Sequence, residues 1–96
     1  MNLRNYARNQ PCMIRLEGIC NGNAETTVLA HFRQIGISET GLKPPDLCAA
    51  WACSDCHDAV DRRRHLDLDR EFVQLAHLRG VVRTQATLIE KRVVQW

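Results

Sequence analysis

Trp51-Ala52-Cys53-Ser54-Asp55-Cys56-His57-Asp58 decides how the rest of the chain is read. Cys53 and Cys56 stand at Cys-x-x-Cys spacing, which lets two thiolates reach one metal ion while backbone N–H groups of the knuckle face the sulfurs. A tetrahedral structural zinc takes two further ligands. Cys12 and Cys20 are the expected second pair, although Met13 to Ile19 between them demand a wider loop. The chain holds five cysteines. The remaining one, Cys48 in Leu47-Cys48-Ala49-Ala50-Trp51, is expected to be a small buried hydrophobe. A redox role for the Cys-x-x-Cys pair would need a thioredoxin-like βαβ setting, which the sequence lacks.

The 96 residues are expected to form one domain, of a size that often needs a metal or disulfide staple. No apolar run approaches the ~20 residues of a membrane-spanning helix. Met1-Asn2-Leu3-Arg4-Asn5-Tyr6 has neither the apolar core nor the small-residue cleavage site of a secretory signal. The expectation is a cytoplasmic protein with no membrane partner, in a reducing compartment where cysteines bind metal rather than pair. The net charge of +2 is uninformative, but its distribution is not. Arg62-Arg63-Arg64 form a basic cluster, and Arg4, Arg8, Arg15 and Arg33 fall in the first third. Such groups neutralise phosphates; with Asp61, Asp67 and Asp69 nearby they can equally form a solvated helix face.

Residues 1–11 read as a polar arm, and Asn21-Gly22-Asn23 as a turn. Thr26-Thr27-Val28-Leu29-Ala30-His31-Phe32 predicts a strand. Gly36, Gly41, Pro44 and Pro45 predict a long loop over 34–47. A short helix leaves the cysteine knuckle, with His57 and Asp61 four apart on one face. Phe72, Leu75, Ala76, Val82, Ala86 and Ile89 recur at helical spacing across 68–91, with acidic residues at the start and Lys91-Arg92 at the end. Gly80 is a point where this helix can bend or break. His65 and His77 stand outside any motif and read as surface or helix-packing residues, and Trp51 is expected beside the zinc knuckle.

A cysteine pair, a strand ending in His31, a long loop and Cys-x-x-Cys-His57 opening a helix resemble the HNH endonucleases of the ββα-metal superfamily. Cys12-Met13-Ile14-Arg15-Leu16-Glu17-Gly18-Ile19-Cys20-Asn21-Gly22, Ala30-His31, Leu42-Lys43-Pro44-Pro45-Asp46 and the knuckle stretch look like the small prophage-encoded nucleases of the YbcO type. Those are related to the RecA-dependent phage nuclease Ref. The resemblance covers roughly residues 10–64. It implies an α+β fold: a small zinc-stapled ββα-metal (HNH-like) nuclease domain over residues 12–96 with an additional C-terminal helix. It further implies His31 as general base, His57 as ligand of a catalytic Mg²⁺ or Mn²⁺, DNA as substrate and a recombinase filament as partner. Neutral imidazole accepts a proton near pH 7, and a hard divalent cation bridges phosphate oxygens. Arg62, Arg63 and Arg64 are placed to hold the DNA backbone.

Two positions depart from the family pattern. Ala30 stands where many relatives carry a metal-binding side chain, and Asp46 to Trp51 contain no asparagine. Asp46 and Asp61 are the acidic residues available to compensate. The alternative is a catalytically impaired, zinc-stapled module that binds DNA or a protein. His57 replacing a cysteine on the zinc, or Cys48 replacing Cys12 or Cys20, are the competing ligand sets.

Overall fold

The computed structural model of the protein describes residues 2–33 and 44–94. The elements run α1 (Leu3–Tyr6), a 3₁₀ turn (Ala24–Thr26), β1 (Val28–His31), β2 (Ala49–Ala52), α2 (Ser54–Val60) and α3 (Arg70–Glu90). Most of the long loop expected over 34–47, with Leu42 and Lys43, lies outside the described residues.

The predicted strand is shorter than its apolar run. Asn23 caps the 3₁₀ turn by accepting from Glu25 N, so strand pairing starts only at Val28. β1 and β2 pair antiparallel, with Val28 opposite Ala52 and His31 opposite Ala49. A two-stranded sheet is marginal alone. Here β2 finds partners beyond β1: Trp51 O accepts from Met13 N at 2.7 Å, and Trp51 N donates to Thr84 Oγ1 at 3.0 Å. The alternation of β2 then feeds two clusters. Ala50 and Ala52 pack with Ile14, Ala30, Phe32, Cys53, Cys56 and Val81. Ala49 and Trp51 pack with Ala7, Met13, Leu29 and Leu88. Trp51 therefore belongs to the cluster without the knuckle, stacked at a tilt on Tyr6 with ring centroids 6.1 Å apart.

α3 forms where its period predicts, capped by Asp69, whose carboxylate accepts from Phe72 N. It runs unbroken through Gly80. The buried face is displaced from the expected one: Val73, His77, Gly80, Val81, Thr84 and Leu88 face inward, while Phe72, Leu75 and Val82 are exposed. Gly80 explains the choice. A Cβ there would lie 2.9 Å from Ile14 Cγ1, 3.1 Å from Ile14 Cα and 3.2 Å from Ala50 Cβ. The missing side chain admits β2 and the Ile14 backbone, and Thr84 one turn later meets the free N–H of Trp51 while donating to Gly80 O. Close approach and a satisfied amide outweigh the larger apolar side chains on the other face.

Residues 2–10, expected as an arm, carry α1 and a following turn. Ala7 is fully buried, and Leu3 and Tyr6 pack on the Trp51 cluster.

Candidate metal centre and catalytic cleft

Cys12, Cys20, Cys53 and Cys56 converge with their sulfurs all within 4.8 Å of one another. The wide Cys12–Cys20 spacing is absorbed by a turn in which Cys20 N donates to Leu16 O at 2.8 Å, with Arg15 and Gly18 at positive φ. Cys53 Sγ lies 3.9 Å from Cys20 Sγ. Four thiolates about 2.3 Å from a tetrahedral zinc would sit about 3.8 Å apart, so the donor set fits such an ion. Cys53 Sγ also accepts from Cys56 N at 3.4 Å and Asn21 N at 3.5 Å. The Asn21 amide braces the knuckle through Ser54 Oγ and Asp55 Oδ2. The neighbouring Cys56 thiol draws Cys12 down to about 4 against its partial burial, helped by backbone N–H groups. That contact with Cys12, with burial, holds Cys56 above the ordinary thiol range, and burial raises Cys20. Crowded thiols that share protons are groups a metal cation would deprotonate. Cys48 and His57 stand outside the tetrad.

Outside the tetrad lies a cleft of about 620 Å³, lined by residues of α1, β1 and α2 and of the segments that adjoin them. His31 and His57 both open onto it. The end of β1 places His31, whose side chain is only 6 % exposed, with Nε2 2.8 Å from Asp46 Oδ1. A carboxylate can only accept, so the neutral ring carries its proton on Nε2 and presents the Nδ1 lone pair. One helical turn brings Asp61 to His57, with Oδ2 3.1 Å from Nε2, and Arg63 Nη2 lies 3.6 Å from the same oxygen.

The three arginines make different contacts, and Arg62 and Arg63 both line a second cleft that also reaches His31. Arg62 turns back at positive φ, and its Nη2 donates to Leu66 O and Leu68 O. Arg63 faces the cleft. Arg64 is largely exposed, its Nε 3.9 Å from Asp58. Arg4, Arg8 and Arg33, basic residues of the first third of the sequence, line the first cleft with Arg63.

Of its two expected readings, surface or helix-packing, His77 takes the second. It is buried on α3, its Nε2 donates to Ala30 O at 2.9 Å, and its ring meets Phe32 edge-on with centroids 5.1 Å apart. Burial holds its pKa below the ordinary 6.5. Its spacing from Val73 and Gly80 was the available signal.

Residues 1–93 match the family described as "Putative nuclease YbcO". Two relatives are "Putative nuclease YbcO" of Escherichia coli (strain K12) and "Putative nuclease ybcO" of Enterobacteria phage 82. Each is 47% identical over 94 residues, covering 98% of this chain and 97% of the relative. A solved structure, "Structure of a putative bacteriophage protein from Escherichia coli str. K-12 substr. MG1655", superposes with a TM-score of 0.80. It is 43% identical and covers 95% of this chain and 100% of its own.

Proposed function

The chain belongs to the YbcO family of nucleases, and on that premise we propose a metal-dependent DNA endonuclease of HNH type that hydrolyses phosphodiester bonds. The observation that carries this reading is His31, oriented by Asp46 in a cleft it shares with His57. The order of β1, β2 and α2, with His31 ending the first strand and His57 on the helix, supports a ββα-metal core. His31 Nδ1 takes the proton from the attacking water, and Asp46 fixes the tautomer that leaves this nitrogen free. His57, with Asp61 beside it, is the pair to hold Mg²⁺ or Mn²⁺, which supplies charge stabilisation at the phosphate when bound. Arg63 reaches the same region and offsets phosphate charge. Zinc on Cys12, Cys20, Cys53 and Cys56 is structural, since four cysteine ligands leave no open position for chemistry. A tetrad of unpaired thiols suits the reducing cytoplasm.

Ala30 favours the rival reading, a DNA- or protein-binding module without activity. Its methyl is buried in the core and its carbonyl is taken by His77, so the position before His31 offers the cleft no ligand. The test is incubation of the purified protein with single- and double-stranded DNA and Mg²⁺ or Mn²⁺, with and without a recombinase filament. Cleavage that His31→Ala removes supports the enzyme. DNA left intact under every condition supports the module.

A further inference from the structure

Arg4 and Arg8 stand four residues apart on one turn, because the helical course of α1 continues past Tyr6: Ala7 N donates to Leu3 O at 3.1 Å and Arg8 N to Asn5 O at 3.2 Å. Like charges at this spacing destabilise a helix modestly. Neither arginine has a salt bridge or side-chain hydrogen bond among the described residues. Their orientation is nonetheless fixed from behind. Leu3, Tyr6 and Ala7 dock α1 on the Trp51 cluster, leaving Arg4 and Arg8 on the wall of the cleft that holds His31 and His57. Asn5 and Asn9 line the same wall with amide groups. Arg33 and Arg63 bring the arginines of the cleft to four, against Glu25 and Asp61. Arg62, by contrast, is engaged with the carbonyls of Leu66 and Leu68.

We infer that Arg4 and Arg8 grip the phosphate backbone of a nucleic acid and lead it along α1 across His31. The inference rests on the nuclease reading and names the substrate-holding wall of that site. The basic groups that hold the strand then lie mainly at the N-terminal segment, and the 62–64 cluster contributes through Arg63. Guanidinium groups suit phosphate oxygens, and the neighbouring asparagine amides can donate to the same backbone.

The test is binding of fluorescently labelled single-stranded and duplex DNA over a series of salt concentrations, without added divalent cation. Wild type is compared with Arg4→Gln/Arg8→Gln, Arg4→Lys/Arg8→Lys and Arg62→Gln. Each duplex phosphate contact contributes about 0.9 to the slope of log affinity against log salt. The glutamine pair should therefore make the duplex slope shallower by about 1.8, with the near-ultraviolet circular dichroism of Tyr6 and Trp51 unchanged. The lysine pair should keep the slope, and so should Arg62→Gln. An unchanged slope in the glutamine pair overturns the inference while leaving cleavage by wild type intact as a separate result. The predicted slope change in a protein that cuts no DNA supports the grip and removes the nuclease. Absence of any wild-type DNA binding overturns the grip, while the nuclease reading is decided by the cleavage assay with Mg²⁺ or Mn²⁺.

Discussion

His31 Nε2 meets Asp46 Oδ1 at 2.8 Å, joining the last residue of β1 to a residue 15 positions later, in the turn that leads into β2. The carboxylate is 44 % exposed and the imidazole side chain 6 %, so the acid can be altered without opening the core. Asp46→Asn should stay folded, and its amide can hydrogen-bond to either tautomer of the ring. The expected result is a lower kcat with little change in KM, because the lost interaction orients the base rather than the substrate. Nitrogen NMR of His31 in wild type should show the Nε2–H tautomer, and Asp46→Asn should mix the two. A pure Nδ1–H form in wild type would contradict the assignment.

His31→Ala should abolish cleavage, a loss of about 10²–10⁴ for a missing general base. Zinc content should be unchanged, since His31 lies outside the cysteine tetrad. His57→Ala should also lose activity, with partial recovery at higher Mg²⁺ or Mn²⁺ as the weakened site fills by mass action. Added metal should not rescue His31→Ala. The check is cleavage rate against metal concentration, with thermal unfolding of the same samples.

Cys53→Ser and Cys56→Ser should lose both zinc and cooperative folding, because both sulfurs are fully buried in the tetrad and thiolate binding is coupled to folding. Cys48→Ala should keep one zinc per chain. Metal analysis alongside thermal unfolding reads both, and zinc loss in Cys48→Ala would require a different ligand set.

His77 ties stability to pH. Its native pKa is depressed by burial, so both folded and unfolded chains hold it neutral well above 6.5. Below that value the unfolded chain takes a proton that the native state refuses, and stability falls as the pH drops toward the native pKa. Asp61 acts to raise this pKa, while His57 and His31 act to lower it. His77→Gln removes the titration, so its Tm should fall less than that of wild type between pH 8 and about pH 5.5. Equal acid sensitivity would assign the effect to other groups.

Gly80→Ala should destabilise the protein despite the roughly 1 kcal/mol that alanine gains in a helix. The added methyl would press on the Ile14 backbone and Ala50, and overpacking costs about 1–3 kcal/mol. Denaturant unfolding should show a small net loss, and a gain would mean that the Ile14 segment yields.

Local patterns were the legible part of the sequence. The knuckle at Cys53 and Cys56, the apolar run ending at His31 and the period of α3 each depend on near neighbours, and each corresponds to an element or ligand group. The second cysteine pair was legible because chemistry demands four ligands, not because its spacing is diagnostic. What was hidden depends on residues far apart. Apolar size suggested Phe72, Leu75 and Val82 as the inward face of α3, whereas close approach to β2 selected the side with Gly80 and Thr84. Three consecutive arginines suggested a phosphate patch or a solvated helix face, and the backbone reversal at Arg62 gives each of them a different set of contacts. The basic residues at the cleft come from separate stretches of sequence, and the docking of α1 on Trp51 brings Arg4 and Arg8 to Arg33 and Arg63.

The tetrad also has a bearing on the chain before it folds. Cys20 and Cys53 are 33 positions apart, and both strands, His31 and Asp46 fall between them. An ion that kept hold of both sulfurs in the denatured chain would close a loop around those segments. By the entropy arithmetic of a crosslink this removes on the order of 3–4 kcal/mol of disorder from the unfolded ensemble. The search for the β1–β2 register then takes place inside a tether, whereas α1 and α3 dock from outside it. Metal supply would thus govern how fast the strands meet as well as whether they stay together.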